Sequence, residues 1–512
     1  MRRFGWKLPK ALLLFVLLIL IYIIWFPEYY LMGDGEYTNE YIMSMEGIDG
    51  RWQAVQGIKR HKFLVFSAFY DSRDPHNPLI RVIAINPIID SEEVKCRLYF
   101  ENETLKNNQF FIDVLATITP VRDAYKGELY QDCHVLCSLK SIQTSYSEDH
   151  IPNAVSIIPI LTRGPWYGTE KKVNSKLSIK NFKNRDTVTN KVNNTDVGVC
   201  VKPIHSYYNN TLELIEFIEL NKLLGVKKFT FYNESMSEEL GCILNYYAEQ
   251  ENLINVIQWN LLSKIELKEV PIRGVLSALN DCIYRNMNEF HYMMQIDLDE
   301  FIIPRMHDTI PEMLQYLDLN KTNSVELSID QRLFEGRFRR KTARNSRKTG
   351  AYSFQNAMFY QRFDDDESLD PLFPLLRVLR KTRRISKFSP VTTFRAKYIC
   401  VPNQVKTALN HFIDTFWEGS EFNVPTSIGI LHHYRHPCDG TEILDKFNHH
   451  RVKNRTKDCI DEPSEVDRNV HKFKKKLLES VNVVLTDLSK RCMLNFEKIG
   501  VINNILPLSW SD

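Results

Sequence analysis

Two aspartates separated by one residue, Asp297 and Asp299, are the pair in this 512-residue chain whose type and spacing suggest chemistry most directly. In an extended segment, residues i and i+2 point to the same side, so both carboxylates would face one ligand. Oxygen-only ligands of this kind suit Mg²⁺ or Mn²⁺, which keep open positions for substrate phosphates. A D-x-D sequence also occurs in surface turns, but here apolar residues 291–296 (HYMMQI) precede it and residues 301–304 (FIIP) follow it. This context favours a divalent metal site at the end of a buried strand.

A metal held by two carboxylates fits a nucleotide-sugar transferase, because the cation can bridge a diphosphate and neutralise the departing nucleotide. An inverting transferase also needs a carboxylate base on the acceptor side. The sequence does not choose among the downstream candidates, which are Asp330, Glu335, Asp364 and Glu421. A metal-dependent phosphohydrolase, which should have more His and Asp ligands nearby, and a non-catalytic glycan-binding protein of the same fold are the alternatives.

Residues 431–435 (LHHYR) form a second dense polar cluster. The neutral imidazole of His433 could complete a metal shell and Arg435 could bind a phosphate, whereas the alternative is a solvated loop with one packed histidine. Two basic runs, residues 337–348 and 377–387, are either solvated loops or functional, as a mobile lid over the diphosphate or a contact for an anionic glycan.

The elements that position these residues are read from hydrophobic periodicity. Strands and helices alternate between residues 197 and 296, which predicts a parallel sheet with right-handed crossovers, hence an α/β domain whose ligands bind at the carboxyl ends of the strands. Strands are predicted over 197–203, 227–232, 254–259 and 291–296, and helices over 212–224, 237–249 and 274–288. Short β-branched runs separated by turn clusters over residues 61–160 predict a small antiparallel sandwich.

The N-terminus carries a membrane signal. Residues 11–26 contain no charge, four basic residues precede them, and no small residues mark a cleavage site. This pattern predicts an uncleaved signal anchor with the body in the lumen of the Golgi or endoplasmic reticulum, a single-pass type II topology. Without those four basic residues the body is close to neutral, which makes nucleic acid a poor partner.

A lumenal body is consistent with the cysteines and sequons. All ten cysteines follow the anchor, and we expect at least three disulfides within the chain. Glycosylation is predicted at Asn102, Asn193, Asn209, Asn320 and Asn454, whereas the sixth sequon, Asn233, should lie beside the donor site. The predicted segments are a cytosolic tail (1–10), the anchor (11–31), a stem (32–60), a β-rich domain (61–165), a linker (166–195), a catalytic domain (196–440) and a helical extension (441–512).

Several motifs, in order along the chain, resemble glycosyltransferase family 92. They are residues 200–203 (CVKP), 213–221 (ELIEFIELN), 224–226 (LGV), 231–233 (FYN), 245–247 (NYY), 278–285 (ALNDCIYR), 296–304 (IDLDEFIIP), 398–402 (YICVP) and 432–435 (HHYR). The N-terminal region also resembles the family's weaker segment, including the Cys133 and Cys137 pair.

The resemblance implies a GT-A fold and metal-dependent, inverting transfer of galactose from UDP-galactose to a glycan or glycoprotein. It assigns the metal to Asp297 and Asp299, with His433 from the late H-Y-R motif as a further ligand. The residues it implies for donor binding are Asn280, Asp281, Arg285 and Arg435.

Overall fold

The computed structural model describes parts of Asp49–Asp512, namely residues 51–55, 61–89, 91, 93–100, 110–121, 129–145, 151–160, 175–181, 193–261, 270–320, 348–368, 376–388, 395–435, 462–492 and 494. The predicted tail and anchor lie outside these residues. Among the helices of the described segments, none combines the length and apolar character needed to cross a bilayer.

The first part of the body is a β-sheet that closes on itself. Its elements are β1 (Gln53–Val55), β2 (Phe63–Asp71), β3 (Leu79–Pro87), β4 (Val94–Phe100), β5 (Phe110–Pro120), β6 (Tyr130–Ser138), the short helix α1 (Lys140–Ser145), β7 (Ala154–Pro159) and β8 (Leu177–Lys180). The strand order is β1-β2-β3-β6-β5-β4-β7-β8, and β2 also pairs with β8. Closure leaves the ring without the open edges that invite aggregation.

The closed sheet corrects the sequence-based prediction of a two-sheet sandwich. Strand β8 lies within residues 166–195, which the sequence suggested were a linker, and it bridges β2 and β7. Its apolar side chains, Leu177 and Ile179, are buried in the same core as Val65, Val82 and Val135. Burial of these two residues explains why a mostly polar segment pairs with the sheet.

The folded body also begins earlier than the predicted boundary at residue 61. Trp52 is 1% exposed, and its ring centroid lies 5.0 Å from that of Phe66 and 5.2 Å from that of Trp259. Strand β1 then pairs antiparallel with β2. Residues 51–55 therefore belong to the folded body and not to a stem.

The second part of the body contains the predicted α/β arrangement. Its first elements are β9 (Val197–Val201), α2 (Thr211–Leu223), β10 (Val226–Asn233), α3 (Glu238–Glu251), β11 (Ile254–Gln258), α4 (Val275–Asn286) and β12 (Tyr292–Ile296). Strands β11, β10, β9 and β12 are adjacent and parallel. The alternation of strands and helices and the parallel α/β sheet predicted from the sequence are confirmed.

Local signals set the ends of these helices. The side chain of Asn210 accepts a hydrogen bond from the Glu213 backbone N–H at the start of α2, and Ser237 caps α3 in the same way. Gly225 follows α2 with φ of +94°, a conformation that side chains disfavour. A Cβ there would also lie 2.9 Å from Pro311 Cδ.

The remaining elements extend this sheet and form three smaller sheets among the described residues. They are β13 (Glu300–Pro304), α5 (Ile310–Asn320), β14 (Thr349–Phe354), β15 (Asn356–Tyr360), α6 (Arg377–Arg380), β16 (Arg383–Ile385), β17 (Lys397–Cys400), β18 (Val405–Ala408), β19 (Ile413–Phe416), β20 (Ser420–Asn423), β21 (Gly429–Arg435), β22 (Ser464–Val466) and α7 (Lys474–Arg491). Strands β17, β14 and β20 extend the main sheet beyond β12, and β13, β21 and β15 form a separate three-stranded sheet.

Disulfides connect distant elements within the chain, and the prediction of at least three is confirmed. The pairs are Cys96–Cys137, Cys200–Cys282 and Cys242–Cys492. The last pair attaches the end of α7 to α3, so the C-terminal helix is part of the α/β body. Cys133 and Cys400 are buried free thiols, and burial raises the pKa of both.

Candidate active site

The carboxyl ends of four parallel strands bring polar side chains to one edge of the main sheet. Gln258 ends β11, Asn233 ends β10, Lys202 follows β9 and Asp297 follows β12. Lys202 and Asp297 are at the same level, because the residues immediately before them pair in register. At a spacing of about 4.8 Å between neighbouring strands, β10 and β12 lie roughly 10 Å apart along this edge.

The backbone holds the Asp-Leu-Asp turn in place. The N–H of Asp297 donates to Glu300 Oε2 at 3.0 Å, and the N–H of Glu300 donates to the Asp297 carbonyl at 3.0 Å. The N–H of Tyr434 donates to the Asp299 carbonyl at 2.8 Å. These bonds use main-chain groups and the Glu300 side chain, so they leave the side chains of Asp297 and Asp299 available for other contacts.

Two lysines flank the Asp297 carboxylate. Lys202 Nζ lies 2.6 Å and Lys397 Nζ 3.2 Å from Asp297 Oδ2, and Lys397 Nζ lies 3.2 Å from Glu300 Oε2. Burial by itself would raise the pKa of Asp297, but the two ammonium groups outweigh it and hold that pKa well below its usual range. Asp297 is therefore ionised across the physiological pH range.

His433 faces the second aspartate. It is the β21 partner of Glu300 on β13, and this register places its Nε2 3.2 Å from Asp299 Oδ2. Its Nδ1 lies 3.1 Å from Asn356 Nδ2 and 3.5 Å from Glu300 Oε1. Burial would lower the pKa of His433, but the carboxylates of Glu300 and Asp299 outweigh it, so the pKa is raised.

The metal predicted from the sequence is compatible with these side chains. Asp297 Oδ1 is buried and accepts no hydrogen bond, which leaves an acceptor oxygen on the residue two positions before Asp299, the partner of His433. Hard oxygens with one imidazole suit Mn²⁺ or Mg²⁺. Within the described segments, no group of three or more His, Cys, Asp or Glu side chains is arranged closely enough to hold a metal ion on its own.

Sequence reasoning assigned no role to the two lysines. Lys202 could have been found, since it follows a buried strand at the same sheet edge as Asp297. Lys397 could not, because it reaches Asp297 from an antiparallel strand 100 residues further along the chain.

The basic run 377–387 serves to pack the fold and is neither a solvated loop nor a lid. Arg377, Lys381 and Arg384 are all buried. Arg377 forms an ion pair with Glu213 at the start of α2, and its Nη2 lies 3.4 Å from the carbonyl of Leu298, the middle residue of the Asp-Leu-Asp turn. The other basic run lies outside the described residues apart from Lys348.

Three residues that the resemblance assigned to donor binding are occupied elsewhere. Asn280 hydrogen-bonds both the carbonyl and the N–H of Ala408, at 2.9 and 3.0 Å, which fixes α4 to β18. Asp281 is fully buried and pairs with Arg285, and it also accepts hydrogen bonds from Ser67 and Tyr232. The structure places Asn280, Asp281 and Arg285 at the junction between α4, the closed sheet and the α/β sheet, where these polar groups have partners within the fold.

The structure describes some of the remaining predicted site residues and not others. Arg435 ends β21 and is half-buried. Asp330 and Glu335, two of the candidates for the catalytic base, lie outside the described residues. Asp364 is exposed and Glu421 is half-buried on β20.

Unpaired polar atoms cluster at the other end of the sheet edge. Asn233 Nδ2 lies 3.4 Å from Gln258 Oε1, which leaves Asn233 Oδ1 without a donor and Gln258 Nε2 without an acceptor. The neighbouring Glu234 pairs with Arg273 through Oε1, and its buried Oε2 has no hydrogen bond. Buried polar atoms are rarely left unpaired, so three together mark a place where a ligand can supply the missing bonds.

Two loops beside these atoms hold residues in the left-handed region. Ser206 and Tyr207 have φ of 59° and 49°, and Ile272 and Arg273 have φ of 39° and 56°. Such conformations are costly for residues other than glycine and occur often at binding sites. Tyr207 is 78% exposed, so its ring is available to a ligand at this edge.

The structure also bears on the glycosylation sites. Asn233 is 8% exposed at the end of β10, whereas Asn193 and Asn209 are exposed and Asn320 is half-buried. Asn102 and Asn454 lie outside the described residues. We expect Asn233 to be unmodified while Asn102 or Asn454 carries a glycan, because the Asn233 side chain is enclosed. Intact-glycopeptide mass spectrometry checks this, and full occupancy at Asn233 would contradict the placement of a ligand there.

Comparison with known proteins finds one family. The model of the family described as glycosyltransferase family 92 matches residues 195–496, more than half of the chain. A Caenorhabditis elegans protein named beta-1,4-galactosyltransferase galt-1 is 28% identical over 110 residues, which are 21% of this chain and 25% of that protein. Another C. elegans protein, named glycosyltransferase family 92 protein F13G3.3, is 26% identical over 129 residues, 24% of this chain and 25% of its own. The matched stretches thus span about a quarter of each relative.

Solved structures resemble the chain only distantly. Glucosyl-3-phosphoglycerate synthase from Mycobacterium tuberculosis, in complex with Mn²⁺, uridine diphosphate and glucosyl-3-phosphoglycerate, is 12% identical with a TM-score of 0.22, over 59% of this chain and 81% of that one. The same enzyme in complex with phosphoglyceric acid is 12% identical with a TM-score of 0.19, over 41% and 58%. Superpositions at these scores contribute nothing to the interpretation of the site.

Proposed function

The chain belongs to glycosyltransferase family 92, and we propose on that basis that it is a metal-dependent, inverting glycosyltransferase of the GT-A type. The proposed donor is UDP-galactose and the proposed acceptor is a glycan or glycoprotein. The observation that carries the proposal is the placement of Asp297 at the carboxyl end of the parallel sheet, two residues before Asp299, which His433 contacts. Asp297 there keeps a buried oxygen with no hydrogen bond.

Asp297, Asp299 and His433 would hold the divalent cation. When bound, that cation supplies positive charge to the diphosphate of the donor and so stabilises the departing nucleotide. The pairing of β13 with β21 fixes the distance between Asp299 and His433. Both side chains are therefore placed to bind the cation without rearrangement of the strands. Arg377 also stabilises this turn, because its guanidinium donates a hydrogen bond to the carbonyl of Leu298, the residue between the two aspartates.

The nucleoside of the donor would lie at the other end of the same edge. Asn233 Oδ1 can accept a hydrogen bond and Gln258 Nε2 can donate one, and uracil presents a donor beside an acceptor on its pairing edge. The exposed ring of Tyr207 is available for stacking on the base. A nucleoside diphosphate is long enough to run from Asn233 to Asp299.

The base-recognition part of the proposal predicts a specific loss. Gln258→Glu removes the donor and places a carboxylate against the uracil carbonyl, so we expect the Kd for UDP with Mn²⁺ to rise about tenfold or more. The matched control is Gln250→Glu on the exposed side of α3, which should leave the Kd unchanged. Calorimetric titration measures both. If the two variants bound UDP with Mn²⁺ equally tightly, Gln258 would not contact the donor.

The inverting reaction also needs a base that takes the proton from the acceptor hydroxyl. We keep Asp330 and Glu335 as the proposed candidates, because they follow the metal motif in the chain and carry the carboxylate that this step requires.

We further propose that the protein is a single-pass type II protein of the Golgi or endoplasmic reticulum membrane with its body in the lumen. Support comes from the uncharged residues 11–26 with a basic flank, the six sequons and the three disulfides, which form in oxidising compartments.

The function is tested with full-length protein purified in detergent. Incubation with UDP-galactose, Mn²⁺ and a panel of glycan acceptors should release UDP and give a galactosylated product, and chelation of the metal should stop both. UDP release without a product would indicate a phosphohydrolase. Binding of glycan with no UDP release under any condition would indicate a glycan-binding protein that uses the same fold.

A further inference from the structure

The two lysines that flank Asp297 are held very differently. Lys397 is 1% exposed, and its ammonium contacts three acceptors: Asp297, Glu300 and Asn410. The Lys202 side chain is 23% exposed, and among the described residues Asp297 is the acceptor that its ammonium contacts. Lys397 is thus part of the packed interior, whereas Lys202 is attached to the site through one ion pair at the solvent-facing side.

The charge of the site makes this ion pair important for metal binding. Asp297, Asp299 and Glu300 carry three negative charges, and the two lysines carry two positive charges. These five side chains together leave one net negative charge, and a divalent cation entering beside Asp297 meets an ammonium whose nitrogen lies 2.6 Å from the same carboxylate. Like charges at such separations repel strongly where water is partly excluded.

A nucleoside diphosphate changes this balance. Its negative charges offer Lys202 an alternative partner next to the metal position. A lysine ammonium on a flexible four-carbon chain can exchange partners without a backbone change. Lys202 stands directly after β9 and before Pro203, so its main chain is fixed while its side chain can turn toward the edge.

We propose that Lys202 is a displaceable counter-cation. In the free protein it forms an ion pair with Asp297 and opposes binding of the divalent cation alone. When the nucleotide binds, the Lys202 ammonium moves to the diphosphate. The cation is therefore taken up together with the nucleotide and not before it. This inference rests on the proposed function for the identity of the ligands, Mn²⁺ and UDP. By linkage, the factor by which UDP tightens Mn²⁺ binding equals the factor by which Mn²⁺ tightens UDP binding.

The test is a Mn²⁺ titration of the full-length protein, followed by the electron paramagnetic resonance signal of free Mn²⁺, with and without UDP and with no sugar present. Lys202→Met should bind Mn²⁺ alone roughly tenfold tighter than the unaltered protein, since one repelling charge is gone. It should also lose most of the tightening that UDP produces in the unaltered protein. The control is Lys228→Met, which removes a lysine paired with Glu289 on another surface and should change neither constant.

Two further variants keep the test decisive. Lys202→Gln is a second neutral replacement if Lys202→Met does not fold, and Lys202→Arg should keep the weak binding of Mn²⁺ alone because it keeps the charge. Unchanged or weaker Mn²⁺ binding by the neutral variants would overturn the proposal. So would equally tight Mn²⁺ binding by the unaltered protein with and without UDP. Because no sugar is present, a protein that behaves as expected here but transfers no sugar would refute the proposed function and leave this inference standing.

Discussion

Replacing Asp299 by Asn should abolish sugar transfer while leaving the fold intact. The Asp299 side chain is 32% exposed and contacts His433, a contact that the amide oxygen of Asn can also make, while the Tyr434 N–H holds the Asp299 backbone carbonyl. Asn keeps the shape of the side chain but removes the charge that binds a cation. Metal stabilisation of the departing diphosphate is worth several kcal/mol, so the expected loss of kcat/KM is roughly a hundredfold or more.

The same variant should lose the rise in Tm that UDP with Mn²⁺ produces, because a ligand stabilises only the state it binds. Asp308→Asn is the matched control: its side chain is 86% exposed near the start of α5, and both activity and ligand-dependent Tm should be unchanged. An Asp299→Asn protein that keeps the Tm rise and the activity would show that the Asp-Leu-Asp sequence is a structural turn.

Replacing Trp52 by Ala should cost about 3–5 kcal/mol of the free energy of unfolding, the usual range for truncating a buried aromatic ring. Trp52 is buried between Phe66 of the closed sheet and Trp259 at the end of β11, and the rings of Phe66 and Trp259 lie 4.6 Å apart. Loss of the indole would leave a cavity where the two parts of the body meet. Denaturant titration followed by tryptophan fluorescence measures the effect.

Trp52→Phe is the control for ring packing. The indole Nε1 is buried and makes no hydrogen bond, so Phe loses volume but no polar contact and should cost clearly less than Ala. Chains shortened to begin at residue 61 should resemble Trp52→Ala or be worse, since they lack β1 as well. If a chain beginning at residue 61 were as stable as one beginning at residue 49, residues 51–55 would belong to the stem and not to the folded body.

The sequence predicted the parallel sheet well because its signals are local. The strands from β9 to β12 are short and largely apolar, and two of the three helices between them, α2 and α3, begin at capping side chains, Asn210 and Ser237. The position of Asp297 and Asp299 followed from the same pattern, since a polar pair after a buried strand must lie at the sheet edge.

What the sequence did not predict depends on contacts between distant residues. Strand β8 is recognised by its pairing with β7 and with β2, and β2 lies more than one hundred residues earlier. Asn280 and Asp281 have the residue types of a ligand site, but their partners on β18 and β2 make them part of a buried junction. Lys397 and Asp297, which form an ion pair, are 100 residues apart in the chain, and neither local sequence indicates that they are in contact.

The most direct test of the account is a crystal structure of the protein with UDP and Mn²⁺, in which anomalous scattering locates the manganese. We expect one manganese peak within coordinating distance of Asp299 and the diphosphate, with the uracil at Asn233 and Gln258. A manganese bound away from Asp297 and Asp299, or UDP bound at a different edge of the sheet, would contradict it.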